Sequence, residues 1–183
     1  MLEDKHIKYA EYHNMTSQFD ELYKMSKNNC EFKKLMQLIG SKDNVILAFR
    51  SIKSNNGSKT AGIDKQTIED IEKLSVDELV KIINSKINYY IPKAVKRVEI
   101  PKSDGRTRPL GIPCMIDRLF QQCIKQILEP ICEAKFYEHS YGFRPNRSVN
   151  NAIAKAYFYM QKHNLSYCVD IDIKGFFDNI DHN

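Results

Sequence analysis

Four aspartates fall within twelve positions near the end of the chain: Asp170, Asp172, Asp178 and Asp181. The first two lie on an apolar segment, Val169-Asp170-Ile171-Asp172-Ile173, which runs into Gly175, Phe176 and Phe177. Carboxylates at a strand end, followed by bulky aromatics, suit a divalent metal and a nucleotide. Side chains alternate along a strand, so Asp170 and Asp172 share one face, with Val169, Ile171 and Ile173 on the other. The apolar face should bury. The acidic face must meet water, a cation or basic side chains, because an unpaired buried carboxylate is too costly. Two acids about 6–7 Å apart along one strand cannot by themselves form a clamp for two ions about 3.5–4 Å apart. At least one further carboxylate must come from another element. The plainer alternative is a strand end with solvated acids and Asp178 as a turn cap.

A second candidate is basic. Residues 93–108 hold Lys93, Lys96, Arg97, Lys102, Arg106 and Arg108 against Glu99 and Asp104, a net +4 out of +5 for the whole chain. A local excess of this kind is a phosphate-binding surface or a solvated charged hairpin.

The elements that must position these groups are mostly helical. Ser17 is expected to cap a helix carrying Phe19, Leu22, Tyr23 and Met25. Phe32, Leu35, Met36 and Ile39 follow at helical spacing. Ser41 starts another helix with Val45, Ile46, Phe49 and Ile52 on one face, stopped by Asn55-Asn56-Gly57. Ser75 and Glu78 form a capping box ahead of Leu79, Ile82, Ile83 and Ile87. Residues 95–101 and 106–112 read as two strands around Ser103-Asp104-Gly105, so the basic cluster lies on a hairpin. Pro109 and Pro113 suit edge positions or strand ends. Asp117 opens a helix through Leu119, Phe120, Cys123, Ile124 and Ile127, and Pro130 should kink it or start a new segment. Ser148 caps a helix with Ile153, Ala156, Tyr157 and Met160 turned inward. Residues 167–173 are the closing strand.

Composition narrows the class. The chain has 183 residues, 42% hydrophobic and 28% charged, which is ordinary for a globular protein of one domain or slightly more. No apolar run approaches the roughly 20 residues of a membrane span. The acidic start, Glu3-Asp4, does not read as a signal peptide. Five scattered cysteines without a CxxC pair argue for reduced thiols in a cytoplasmic protein. The 57–65 loop is rich in small residues but lacks P-loop spacing.

Several motifs resemble one family in its own order. They are Arg97-Val98-Glu99-Ile100-Pro101-Lys102; Gly105-Arg106-Thr107-Arg108-Pro109-Leu110-Gly111-Ile112-Pro113; Asp117-Arg118 with Gln121; and Leu128-Glu129-Pro130-Ile131. Ser140-Tyr141-Gly142-Phe143-Arg144-Pro145-Asn146-Arg147-Ser148 and Asp170-Ile171-Asp172-Ile173-Lys174-Gly175-Phe176-Phe177-Asp178 follow. Together they resemble the group II intron reverse transcriptases over residues 57–183, with residues 1–56 only loosely similar to the family's N-terminal extension. The resemblance implies an α+β fold, mainly helical, with a small antiparallel fingers sheet and the first strand of an incomplete right-hand polymerase palm. It implies an N-terminal extension over 1–56, fingers over 57–165 and the start of the palm over 166–183.

The resemblance also assigns roles. Asp172 would be the first metal-binding catalytic aspartate, with the Ile173 carbonyl beside it and Mg2+ as the ion. Phe177 would be the steric gate that rejects a 2′-hydroxyl. Lys102 and Arg108 would hold the triphosphate of a dNTP, as a point charge and a planar fork can. Arg144 and the 142–145 loop, including Pro145, would support the template and nucleotide pocket. Lys96, Arg97 and Arg106 would contact nucleic acid. The partners would be intron RNA and an RNA template with its DNA primer.

The family's second palm block, Tyr-Ala-Asp-Asp, does not occur in these 183 residues. The chain is therefore expected to be a fragment that does not polymerise by itself. Its last strand should lose its sheet partners, so that this end is disordered, rearranged or paired with another copy through the cut palm edge. A non-catalytic RNA-binding module, or a related retron or CRISPR-associated reverse transcriptase, is the alternative.

Overall fold

The computed structural model describes residues 14–101, 103, 105–176 and 179–181. The chain divides into two compact units, Met1–Phe136 and Tyr137–Asn183. About half of the described residues are helical and their sheet has two antiparallel strands, the α+β class expected from sequence.

The first unit is built around one long helix. In order it holds α1 (Met15–Lys27), α2 (Leu35–Ile39), α3 (Lys42–Lys53), a 3-10 turn (Asn56–Lys59), α4 (Ile68–Ile71) and α5 (Val76–Asn88). Strands β1 (Lys96–Pro101) and β2 (Thr107–Ile112) follow, and then α6 (Met115–Glu133). Met115, Leu119, Cys123 and Ile127 recur every fourth residue on α6, which puts them on one face. All are buried, and α6 packs against α1, α2, α3 and α4. Ile83 and Ile127 are fully enclosed, and each such side chain contributes about 1.5–3 kcal/mol by leaving water.

Local chemistry sets the helix ends. The Ser41, Ser75 and Ser148 hydroxyls each accept an amide three residues on, as expected. Glu78 completes the capping box by accepting from the Ser75 amide at 2.7 Å. A second box joins Thr67 and Asp70 at the start of α4. The Thr67 amide, followed by Lys73, holds the Asp70 carboxyl down from 3.8 to about 2. A carboxyl lowered on folding stabilises fully above its free value and loses that contribution as pH falls through the folded one. The α4 cap should therefore weaken between about pH 4 and pH 2, and Asp70→Asn should remove that dependence. Helix-resolved NMR shifts during acid titration would check it.

Three expectations need correction. The first helix begins at Met15 after Asn14, not behind Ser17, whose hydroxyl instead donates back to the Asn14 carbonyl. Helix α6 begins at Met115 and runs through Pro130 to Glu133. Proline removes a single ladder bond in the last turn, while Ile127 and Ile131 keep that turn on the core. Residues 167–173 form no strand. Among the described residues they have no ladder partner, and Val169, Ile171 and Ile173 are 79%, 84% and 67% exposed. An alternating pattern specifies a face, and a strand also needs a neighbour.

A buried polar knot lies beside the apolar core. The Asn44 side-chain amide donates to the Ile39 carbonyl at 2.8 Å and to the Cys123 carbonyl at 3.1 Å. The Gln126 amide donates to the Asn44 carbonyl at 2.6 Å and also to its side-chain oxygen. Asn44→Ala orphans several of these buried groups at once. It should cost about 2–3 kcal/mol, read from urea unfolding.

The second unit carries α7 (Val149–Lys162) between two irregular segments. No residue of α7 is buried, so Ile153, Ala156, Tyr157 and Met160 do not face inward as expected. Their spacing does place them along one stripe, but among the described residues of this unit nothing covers that stripe.

Candidate nucleotide and nucleic-acid site

The basic hairpin is formed as expected, with Lys96 opposite Ile112, Val98 opposite Leu110 and Ile100 opposite Arg108. Gly105 makes the turn at φ +81°, where a Cβ would be strained. Opposed residues of an antiparallel pair point to the same face. Lys96 and Arg108 therefore share the face of half-buried Val98 and Ile100. Arg97 lies on the other face and pairs with Glu99 at 3.4 Å. Both Lys96 and Arg108 are exposed, and neither has a carboxylate partner among the described residues. Arg106 is exposed at the turn. Lys102 lies outside the described residues.

A two-stranded hairpin is marginal by itself, and its base is anchored in two ways. The Arg118 guanidinium donates to three carbonyls: Pro113 at 2.9 Å, Gly57 at 3.0 Å and Thr60 at 2.6 Å. It thereby ties the small-residue 57–60 segment to the end of β2. Gly62 lies against Cys114, where an added Cβ would come within 2.8 Å of the backbone. On the other side, Lys93 pairs with Asp64 at 3.4 Å just before β1. Burial alone would raise the Asp64 carboxyl, but hydrogen bonds from the Cys114 thiol, the Gln66 amide and Lys93 together hold it below its usual value.

Beneath this anchor Lys86 on α5 and Asp117 on α6 pair at 2.8 Å, with side chains 18% and 3% exposed. The Lys86 ammonium also lies 5.0 Å from the Tyr90 ring centre. Asp117 and Arg118 stand in the sequence as motif residues, and what they hold shows only in the fold. The available signal was a charged pair inside an otherwise apolar helical repeat.

The second unit holds the other candidates. Arg144 is nearly buried, and its Nη1 donates to the Tyr137 and Ser140 carbonyls, both at 2.8 Å. It braces the 140–147 loop through backbone, while the neighbouring Phe143 ring is fully exposed. Pro145 is half-buried in the same loop. Asp170 and Asp172 are exposed, as is Ile173. Gly175 turns the chain at φ +61°, and the Asn179 amide closes that turn on the Gly175 carbonyl at 2.7 Å. The gate candidate Phe177, with Asp178, lies outside the described residues.

The oxygen donors of Asp170 and Asp172 are hard ligands of the kind divalent cations take. Among the described residues no three His, Cys, Asp or Glu side chains are grouped to hold a metal. No described helix is long and apolar enough to cross a membrane.

Residues 100–183 match the family described as reverse transcriptase (RNA-dependent DNA polymerase), a family that generally uses divalent metal ions. The group II intron-encoded protein LtrA of Lactococcus lactis subsp. cremoris is 37% identical over 168 residues, covering 88% of this chain and 27% of that protein. The putative COX1/OXI3 intron 2 protein of Saccharomyces cerevisiae is 32% identical over 176 residues, 92% of this chain and 20% of that protein. Protein YkfC of Escherichia coli is 34% identical over 159 residues, 81% of this chain and 40% of that protein. The chain thus spans well under half of the length of each of these relatives. Arg108, the braced loop and the aspartate segment all lie within residues 100–183, the part of this chain that belongs to the reverse transcriptase family, and over most of its length the chain is similar to group II intron-encoded proteins.

Proposed function

We propose that this chain is the fingers and first palm segment of an RNA-directed DNA polymerase that also assists group II intron splicing and mobility. The observation that carries the proposal is the reverse transcriptase match over residues 100–183, which contains both Arg108 and Asp172. In this reading the extension runs over 1–56, the fingers over 57–165 and the palm from 166. The partners are intron RNA, an RNA template with its DNA primer, and dNTP. The setting is cytoplasmic, in keeping with five scattered free thiols.

Each residue then has a chemical task. Arg108 offers a fork of donors to phosphate oxygens, and Lys102 a point charge. Arg118 and Gly62 keep the hairpin base fixed, so the fork need not be ordered at each turnover. Lys96, Arg97 and Arg106 hold the nucleic-acid backbone. Arg144 keeps the 142–145 loop, with Pro145, in shape beside template and nucleotide. Phe177 excludes a 2′-hydroxyl by contact. Asp172 and the Ile173 carbonyl would hold Mg2+, which supplies Lewis-acid neutralisation of triphosphate charge when bound. Further carboxylates are required for that site, so residues 1–183 taken alone should not extend a primer. Self-association through the unpaired 167–173 segment would appear as concentration-dependent sedimentation.

The test is Arg108→Ala in a polymerase carrying this chain. Losing a bidentate charged contact should raise KM for dNTP roughly tenfold to a hundredfold, with RNA affinity changed far less. An unchanged KM would remove Arg108 from the triphosphate. An equal loss of RNA affinity with and without dNTP would favour the non-catalytic RNA-binding reading that the exposed Lys96 and Arg108 face also suits.

A further inference from the structure

We infer that α7 carries a stacking surface for single-stranded nucleic acid on the face opposite its apolar stripe. The first observation is charge. Residues 139–169 contain Arg144, Arg147, Lys155 and Lys162 and not one Asp or Glu. Elsewhere the chain mixes both signs, with 28 basic and 23 acidic residues in all. A run of one sign repels itself, and a polyanion relieves that repulsion.

The second observation is geometry. Asn151, Lys155, Phe158 and Lys162 are spaced four, three and four apart, so they form one stripe along α7. Val149, Ile153, Tyr157 and Met160 lie on the opposite side. Phe158 is 44% exposed, with the Lys155 and Lys162 ammonium groups 5.2 Å and 5.0 Å from its ring centre. Arg147 lies 5.6 Å from the Tyr141 ring. A shallow cleft of about 590 Å³ runs between Tyr141, Asn146, Arg147, Lys155 and Phe158. None of the three cations pairs with a carboxylate among the described residues.

The third observation is bracing. The His139 ring stacks on Tyr141 at 6.5 Å and 9°, and meets Tyr137 edge-on at 5.3 Å. Its Nε2 is 2.8 Å from the Tyr159 hydroxyl. Tyr141 and Tyr159 are therefore held on His139 before any ligand arrives. An exposed Phe158 ring between two lysines of one helical stripe, with Tyr141 and Arg147 lining the same cleft, suits unpaired bases stacked on aromatics with phosphates along the cations. A duplex hides its base faces and can use only the charge.

This inference deepens the proposed function by adding a second contact for the same nucleic acid. Its test reads binding and not synthesis, so the two ideas fail separately. The probes are fluorescent oligoadenylates of about 12 nucleotides, as RNA and as DNA, with a matching duplex, titrated by anisotropy against residues 1–183. Phe158→Ala should weaken unpaired strands about tenfold and leave the duplex nearly unchanged. Phe158→Trp, which keeps a stacking face, should restore binding. Lys155→Gln with Lys162→Gln should lower the log–log salt slope by about 1.4. A loss confined to RNA or to DNA identifies the strand. Because α7 buries no residue, these changes should leave the circular dichroism spectrum intact. Unchanged strand affinity in Phe158→Ala would overturn the inference. So would equal losses for strand and duplex, which would mean a charged face alone.

Discussion

Asp172→Asn should reduce RNA-templated primer extension by roughly a thousandfold or more in a polymerase carrying this chain, with template affinity nearly unchanged. The amide keeps the size of the carboxylate but loses the negative charge that a divalent cation needs. Asp172 is exposed and takes part in no ion pair among the described residues, so the fold should not notice the change. Asp170→Asn should cost far less, although Asp170 is two residues away and equally exposed. The pair separates a ligand from a solvated neighbour, and single-turnover extension rates measure the difference. If Asp170→Asn abolished extension while Asp172→Asn was tolerated, the assignment within the segment would have to be exchanged.

Asp117→Ala should destabilise the first unit by about 3 kcal/mol or more, the largest effect expected from a single change outside the active segment. Asp117 Oδ1 holds Lys86 at 2.8 Å, while its Oδ2 is buried without a hydrogen-bond partner among the described residues. Removing the carboxylate strands a mostly buried ammonium between two helices. Asp117→Leu with Lys86→Met removes both charges and should recover most of the loss, because a matched apolar pair often replaces a buried ion pair without penalty. Urea unfolding of the two single variants and the double variant gives the coupling. A loss below about 1 kcal/mol for Asp117→Ala would mean that Lys86 finds water.

What was legible in the sequence was chiefly local. Ser41, Ser75 and Ser148 cap helices because a hydroxyl and an amide three residues on meet in any helix start. The hairpin was readable from Ser103-Asp104-Gly105 and the strands beside it, and Gly105 does take the left-handed turn. Pairings across distance were not legible. Lys86 and Asp117 are 31 positions apart, and nothing in either local pattern says they meet. Arg118 had a motif but no role, since its three carbonyl partners lie in two other segments. Tyr157 and Ile171 show the reverse failure: periodicity named a face, and the described fold gives it no cover. The candidate site was legible as residue types, Arg108 and Asp172 both being exposed as a ligand site requires. Lys102 and Phe177 lie outside the described residues, so their roles rest on motif order alone.

The most direct measurement is nucleotide incorporation opposite a defined RNA template by a polymerase carrying this chain, wild type against Phe177→Ala, with dNTP and rNTP compared. The account predicts template-directed dNTP incorporation, strong rejection of rNTP by the wild type, and a rejection at least tenfold weaker in Phe177→Ala. Incorporation without regard to the template, or rNTP used as readily as dNTP by the wild type, would contradict it.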